Sequence, residues 1–185
     1  MKKISLAFVL TTAIAACFVS CKKEDQTNQA LSLPAGPQDT VTSFMVNFFN
    51  TNDSTTEVGA YDDPDGPGPL EASIGGVSLK PNSKYLITFL IEDATNPASN
   101  VYLHNKIKNN GKEYKICIGN PLGISVTAKD SDGSMPIGLV NELLTSSTTG
   151  SDKMSFTIKY QKGVKDGQCS PGILYFNCNI PIGVY

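Results

Sequence analysis

The sequence predicts an all-β domain, an immunoglobulin-like β-sandwich of about seven or eight strands. Three observations lead there. Apolar and polar residues alternate at period two through most of the chain after Asp39, the signature of strands with one face in a core and one in water. Gly-, Pro- and Asp-rich turn signals separate the alternating runs. About 145 residues remain for the domain, enough for one substantial core that two sheets can share.

Each expected strand follows in order. Phe44, Val46 and Phe48 alternate with Ser43 and Asn47. Tyr85, Ile87, Phe89 and Ile91 form one face of the strongest strand, with Leu86 and Leu90 on the other. Tyr114, Ile116 and Ile118 mark another, and Ile124, Val126 and Ala128 the next. Met154, Phe156, Ile158 and Tyr160 alternate with Lys153, Ser155, Thr157 and Lys159. Leu174, Phe176, Cys178, Ile180 and Ile182 make the last. Between them stand Asp62-Asp63-Pro64-Asp65-Gly66-Pro67-Gly68-Pro69, Gly75-Gly76, Asn109-Asn110-Gly111, Asp130-Ser131-Asp132-Gly133 and Lys165-Asp166-Gly167. Only Pro136 to Ser146 has helical character.

The first 39 residues read differently. Lys2-Lys3 precede an uncharged apolar run, Ile4 to Val19, of 16 residues. That is short for a membrane span of roughly 20 residues and lies where an export signal belongs. Ser20-Cys21 then meets Lys22-Lys23-Glu24-Asp25. This resembles a bacterial lipobox, in which the peptidase cuts before a cysteine already carrying diacylglycerol. Ile14-Ala15-Ala16-Cys17 has a similar form, but cutting before Cys21 removes the whole apolar run and places charge directly after the lipid. The expected organisation is a lipoprotein signal peptide at 1–20, a tether at 21–39 rich in polar residues with Pro34, Gly36 and Pro37, and the sandwich at 40–185.

Losing Lys2 and Lys3 with the signal leaves 13 lysines against 17 acidic residues, a net charge of about −4 with no arginine. Nucleic acid is excluded as a partner on that ground, since a phosphate backbone needs a basic face. Asp39 to Asp93 is acidic, with only Lys80 and Lys84 opposing, whereas Lys106 to Lys115 is basic apart from Glu113. Catalysis finds little foothold. His104, the single histidine, falls in a polar loop without a cysteine or acid at motif spacing, and no nucleophile elbow, phosphate loop or His-based zinc motif occurs.

No cofactor or metal is expected. Calcium is the one ion that two groups, Asp62, Asp63 and Asp65, and Asp130 with Asp132, could gather through oxygen ligands. Neither loop has the distal glutamate of an EF-hand, and Asp beside Gly and Pro is ordinary turn chemistry. Cys117, Cys169 and Cys178 remain after processing. Export permits a disulfide and leaves one thiol over. A Cys169–Cys178 bridge requires the chain to fold back at Pro171-Gly172; the alternative is three small buried hydrophobes.

Several stretches carry a resemblance. They are Asp63-Pro64-Asp65-Gly66-Pro67-Gly68, then Leu79-Lys80-Pro81-Asn82-Ser83-Lys84-Tyr85, and Phe89-Leu90 before Asp93 and Pro97. Asp130-Ser131-Asp132-Gly133 leading to Pro136-Ile137-Gly138-Leu139, and Gly163-Val164-Lys165-Asp166-Gly167, complete the set. In this order they resemble a family of small Bacteroidetes lipoproteins found beside outer-membrane TonB-dependent receptors. The start Cys21-Lys22-Lys23-Glu24-Asp25 is also similar to lipoproteins of that group, in which an acidic stretch after the cysteine directs export to the cell surface; here its charge is mixed. Members are sometimes labelled as having a type 1 periplasmic binding fold, which implies two α/β lobes and a longer chain, against the alternation seen here. The family's acidic, histidine-ending segment is replaced by Ile107-Lys108-Asn109-Asn110-Gly111-Lys112-Glu113-Tyr114-Lys115, which should hold no cation. The resemblance implies a non-enzymatic accessory lipoprotein, anchored in the outer membrane by lipid on Cys21, on its surface or periplasmic face. It would assist a TonB-dependent transport or surface-binding system, with an outer-membrane receptor as partner. A carrier for a small ligand or cation is the alternative.

Overall fold

The computed structural model describes residues 36–96 and 98–185. The signal peptide, Cys21 and all of the tether before Gly36 lie outside the described residues. In chain order the elements are β1 (Ser43–Asn50), β2 (Thr56–Asp62), β3 (Ser73–Gly75), β4 (Val77–Leu79), β5 (Lys84–Asp93) and β6 (Val101–Tyr102). Helix α1 (Leu103–Asn109) and a 3-10 turn at Gly111–Glu113 follow. The chain then continues through β7 (Tyr114–Ile118), β8 (Ser125–Ala128), β9 (Val140–Leu144), β10 (Gly150–Tyr160) and β11 (Ile173–Val184). Helix accounts for 7% of the described residues. The strands number eleven among the described residues against the seven or eight expected: eight have four or more residues, and β3, β4 and β6 are shorter. Six of the long ones carry the alternation read from sequence, and β2 and β9 do not.

The strands form two sheets. One has the order β3-β2-β1-β5-β9-β8, with β6 on β5; the other runs β4-β11-β10-β7. All pairs are antiparallel except β4 with β11. The predicted alternation decides what lies between the sheets. Phe44, Val46 and Phe48 of β1, Ile87 and Ile91 of β5, and Met154, Phe156 and Ile158 of β10 are fully buried. Aromatic rings join the layers: Phe44 lies 5.6 Å from Phe156 and 5.2 Å from Phe176, centroid to centroid, and Phe89 5.9 Å from Phe156. The sheets approach so closely at Gly59 that a Cβ there would sit 2.8 Å from Ile180 Cγ2. That glycine interrupts the alternation of β2, which the sequence did not mark as a strand.

Four expectations are corrected. Pro136 to Ser146 is not helical: β9 occupies its centre, pairing with β5 on one side and β8 on the other. Asn141 and Leu143 point inward and are buried, so backbone pairing on both edges overrides local helix propensity. The α-helix lies instead at α1, where Leu103 and Ile107, four residues apart, are both buried. His104 therefore sits on a helix and not in a loop. Leu174 also departs from the alternation. The ladder passes from Ile158↔Phe176 to Lys159↔Leu174, leaving Tyr175 as the extra residue of a β-bulge, and Leu174 is 53% exposed.

The disulfide joins Cys117 to Cys169, not Cys169 to Cys178. Cys178 stands opposite Phe156 in the ladder and faces the core, while Cys169 lies in the loop outside the sandwich. Cys117, opposite Thr157 on β7, brings its Cα to 6.0 Å from that of Cys169. Cys178 is buried, and burial pushes its thiol up to about 12. Because the bridge spans 52 residues, Cys169→Ser is expected to lower unfolding stability by about 4 kcal/mol in urea denaturation. Thiol titration should find Cys178 unreactive until the protein unfolds; a native chain that reacts readily at this position would contradict the placement.

Candidate functional site

The chain reaches the sandwich as an extended lead-in held at three points. Asp39 pairs with Lys106 of α1, the Thr40 N–H donates to Asp93 Oδ2 at 2.9 Å, and the Thr42 N–H donates to the Glu92 carbonyl at 3.0 Å. On its other side Thr42 accepts the N–H of Asp63 at 2.7 Å. This lead-in, the end of β2 with its following turn, and the start of β11 enclose a cleft of about 650 Å³. Its floor depends on the bulge. An extra residue turns the strand locally, so that Tyr175 and Phe176 both direct their rings inward where strict alternation would send one out. Phe176 packs edge-on against Tyr61 at 5.2 Å, and Tyr175 lies 6.1 Å from Tyr114.

The titratable groups of the cleft are the carboxylates of Asp39 and Asp63 and the phenols of Tyr61 and Tyr175; Gln38, Thr40 and Asn177 add neutral polar side chains. Tyr61 donates its hydroxyl to Asp63 Oδ2 at 2.9 Å; burial first, and this bond second, push its phenol up to about 12. Burial raises Tyr175 further, helped by the charge of Asp39. Both phenols thus stay protonated at neutral pH and serve as hydrogen-bonding groups, not as bases. Asp63 Oδ1 and the Tyr175 hydroxyl have no hydrogen-bond partner and are shielded from water. No lysine or arginine lines the cleft among the described residues.

The aspartates singled out from sequence separate into different roles. Asp62 closes β2 and is exposed, whereas its neighbour Asp63 lines the cleft. Asp65 Oδ2 accepts the Leu70 N–H at 3.2 Å, and its Oδ1 is unpartnered. Asp130 and Asp132 are turn residues. Asp130 accepts the N–H groups of Gly138 and Leu139 at 2.8 and 3.0 Å. Gly138 stands at φ +91°, and a Cβ there would meet the Ile116 carbonyl at 2.5 Å. Asp132 Oδ1 accepts the Ser134 and Met135 N–H groups, and its Oδ2 takes the Lys165 ammonium at 2.7 Å. The side chains of this ion pair are only 4–5% exposed. Lys165 also donates to the Gly111 carbonyl at 2.6 Å. The cation beside Asp132 is therefore the chain's own, from a residue too distant in sequence for spacing to reveal. Among the described residues no three His, Cys, Asp or Glu side chains gather in a metal-ligating group.

His104 packs edge-on against Tyr102 at 5.8 Å, and its Nδ1 lies 3.4 Å from the Ile91 carbonyl. The cleft itself had no local signal in the sequence, because its walls come from three separate segments, 36–41, 61–67 and 173–177. Comparison of the chain with protein-family models, curated proteins and solved structures finds no match.

The Lys165 ammonium, and after it the Met135 N–H, hold the Asp132 carboxyl well below the usual carboxylate range. A depressed carboxylate stabilises the fold above its unfolded value near 4 and loses that contribution as the pH falls. Asp132→Asn, which leaves Lys165 buried without its counter-charge, is expected to cost about 3 kcal/mol at pH 7. The difference from the wild type should shrink steadily below about pH 4. Urea denaturation across this range checks it, and a gap independent of pH would contradict the ion-pair account.

Proposed function

We propose that this chain is a non-enzymatic, lipid-anchored accessory protein of the outer membrane that assists a TonB-dependent transport or surface-binding system. The N-terminal sequence supports the anchor: Ser20-Cys21 follows the apolar run directly, and a spacer from Cys21 to Gly36 reaches at most about 50 Å when extended. The observation that carries the partner-binding role is the outward face of the larger sheet. Val58, Phe49, Leu86 and Leu144 stand on four adjacent strands there, each 39–47% exposed, with Phe49 directly opposite Leu86 in the ladder. Val58 stands diagonal to Phe49, opposite Asn47, and Leu144 diagonal to Leu86 across the Lys84–Glu142 ion pair; exposed apolar side chains grouped on one face in this way are characteristic of protein contact. All four residues lie at the end of the sheet opposite Ser43, where the chain enters. The chain's entry at Ser43 therefore leaves the patch uncovered for contact with a partner protein.

A second reading, a carrier that captures a small ligand or cation, is favoured by the cleft between the lead-in, β2 and β11. Its protonated phenols and carboxylates suit binding.

Mass spectrometry of the mature N-terminus should find acylated Cys21, and Cys21→Ala should leave the precursor uncleaved. After cross-linking in intact cells, the lipoprotein should co-purify with a TonB-dependent receptor of the outer membrane. Phe49→Glu combined with Leu86→Glu should abolish that association while leaving the melting temperature nearly unchanged. An unmodified N-terminus would refute the anchor. Association that survives both substitutions would refute the role of the patch.

A further inference from the structure

The larger sheet ends at β8, and the backbone of that strand is unpaired on its outer side. The Lys129 N–H donates to the Val140 carbonyl at 2.8 Å, which fixes the phase of the β8–β9 ladder. Hydrogen-bonded pairs alternate along an antiparallel ladder, so Thr127 and Ser125 also bond across to β9. Val126 and Ala128 therefore aim their N–H and C=O groups away from the sheet. No other strand pairs with β8, and among the described residues no hydrogen bond reaches these four groups. From this edge we infer that two copies of the chain join β8 to β8 antiparallel, about a two-fold axis at Thr127, making one continuous sheet.

Contrast with the other edges is the first argument. Exposed edges are normally guarded by shortness, charge, proline or cover. β3 and β4 have three residues each, and β6 has two. β7 is tied through Cys117–Cys169 to the loop before β11. The half of β10 beyond β7 carries Asp152 and Lys153, and the Asp152 carboxylate takes the Lys153 N–H at 2.7 Å. Ser125-Val126-Thr127-Ala128 has no charge, no proline and no bulge, and its Val and Thr favour strands.

Self-complementarity is the second argument, and it selects a second copy over other occupants. A two-fold pairing uses the same surface on both copies. Turning about Thr127 sets Val126 opposite the second copy's Ala128, and Ala128 opposite its Val126. Each pair exchanges two N–H···O bonds, so every free group of both copies is satisfied. Centring on Val126 or Ala128 instead would bring in Ile124, whose N–H already bonds Pro121, or Asp130, whose carbonyl already accepts from Ile137. Thr127 then faces its own equivalent in a non-hydrogen-bonded pair, where side chains stand closest and Thr–Thr contacts are favourable. Lys129 falls opposite Ser125, not another lysine, and Glu142 already meets its charge at 3.2 Å.

Side chains of like parity stay on one face of the joined sheet, so the apolar patches of both copies look to the same side. A four-residue edge is far smaller than the roughly 800 Å² that each partner of a standard interface buries, so the pair forms where copies are concentrated. It thus rests on the lipid anchor proposed above, which holds them in one membrane.

Cysteine cross-linking of the full-length lipoprotein in vesicles tests this. Thr127→Cys should give a disulfide-linked dimer under diamide, because opposed residues of this kind bring their Cβ atoms to about 4.5–5.5 Å. Ser125→Cys, also exposed on the same face, should not, since its equivalents lie about 13 Å apart along the paired strands. Mixing Ser125→Cys with Lys129→Cys chains should restore the cross-link, as those positions are opposed. Ala128→Pro added to Thr127→Cys removes an N–H that β9 does not use, and should lower the dimer yield about tenfold or more. If that chain does not fold by circular dichroism, the mixed pair carries the test. Flotation with the vesicles reports the anchor separately; a chain that does not float is cross-linked at about millimolar concentration, where the same pattern is required. Phe49→Glu with Leu86→Glu should leave the cross-link intact, which separates this pairing from the receptor contact. Equal cross-linking of Thr127→Cys and Ser125→Cys would mean random collision and overturn the pairing, as would the absence of a dimer from Thr127→Cys. A cross-link from Thr127→Cys to a different protein in intact cells, in place of the dimer, would give the edge another occupant and overturn self-pairing.

Discussion

The packing of Phe44 is the interaction on which the rest of this structure depends. Hydrogen bonds order the strands within each sheet, but the ladders leave the two sheets unconnected, so the layers are held by what lies between them. Phe44, in β1 at the middle of the larger sheet, meets Phe89 beside it at 5.3 Å and Phe156 and Phe176 of the smaller sheet. Aromatic pairs of this tilted kind contribute about 0.5–1.5 kcal/mol each beyond their burial. They also set the spacing of the layers, which Gly59 then requires to be close. Phe176 carries the same packing outward to Tyr61, and through Tyr61 to Asp63. The candidate cleft is thus the wet end of the aromatic core and not a separate depression in the surface.

Two latches close over the loop between β10 and β11, which leads directly into the start of β11 that lines the cleft. The Cys117–Cys169 bridge ties it covalently to the edge strand β7, and Lys165 reaches across to Asp132 and the Gly111 carbonyl. Gln161 donates from within the same loop to the carbonyls of Gln168 and Pro171. An edge strand with free backbone groups invites pairing with other chains. Here β7 is guarded by the latched loop on one flank, and by the Ile137 carbonyl, which accepts the Ile116 N–H, on the other.

Much of the fold could be read directly from the sequence. The alternation in β1, β5 and β10 named their buried residues correctly, because each has a wet outer face and a dry inner one. Where that contrast weakens, reading fails. β2 places Val58 and Ala60 outward and needs Gly59 inward, which inverts the usual signal. The centre of Pro136–Ser146 looks helical by propensity but is recruited as a strand by β5 and β8. The Asp-rich turn at Asp130–Gly133 was legible as a turn, since local backbone N–H groups satisfy it. Its partner Lys165 was not, and neither was the pairing of Cys117 with Cys169, because contacts between distant segments leave no local pattern. For the same reason the cleft was invisible: the bulge that exposes Leu174 and turns Tyr175 inward is a property of the β10–β11 register alone.

Urea denaturation of Phe44→Ala tests the dependence of the fold on inter-sheet aromatic packing most directly. The account predicts a loss of about 3–5 kcal/mol in unfolding stability, in one cooperative transition, because a fully buried phenylalanine is removed from between the layers. A loss below about 1 kcal/mol, the scale of an ordinary surface change, would contradict it. So would two separate transitions, which would mean that the sheets are held together by something other than Phe44 and its neighbours.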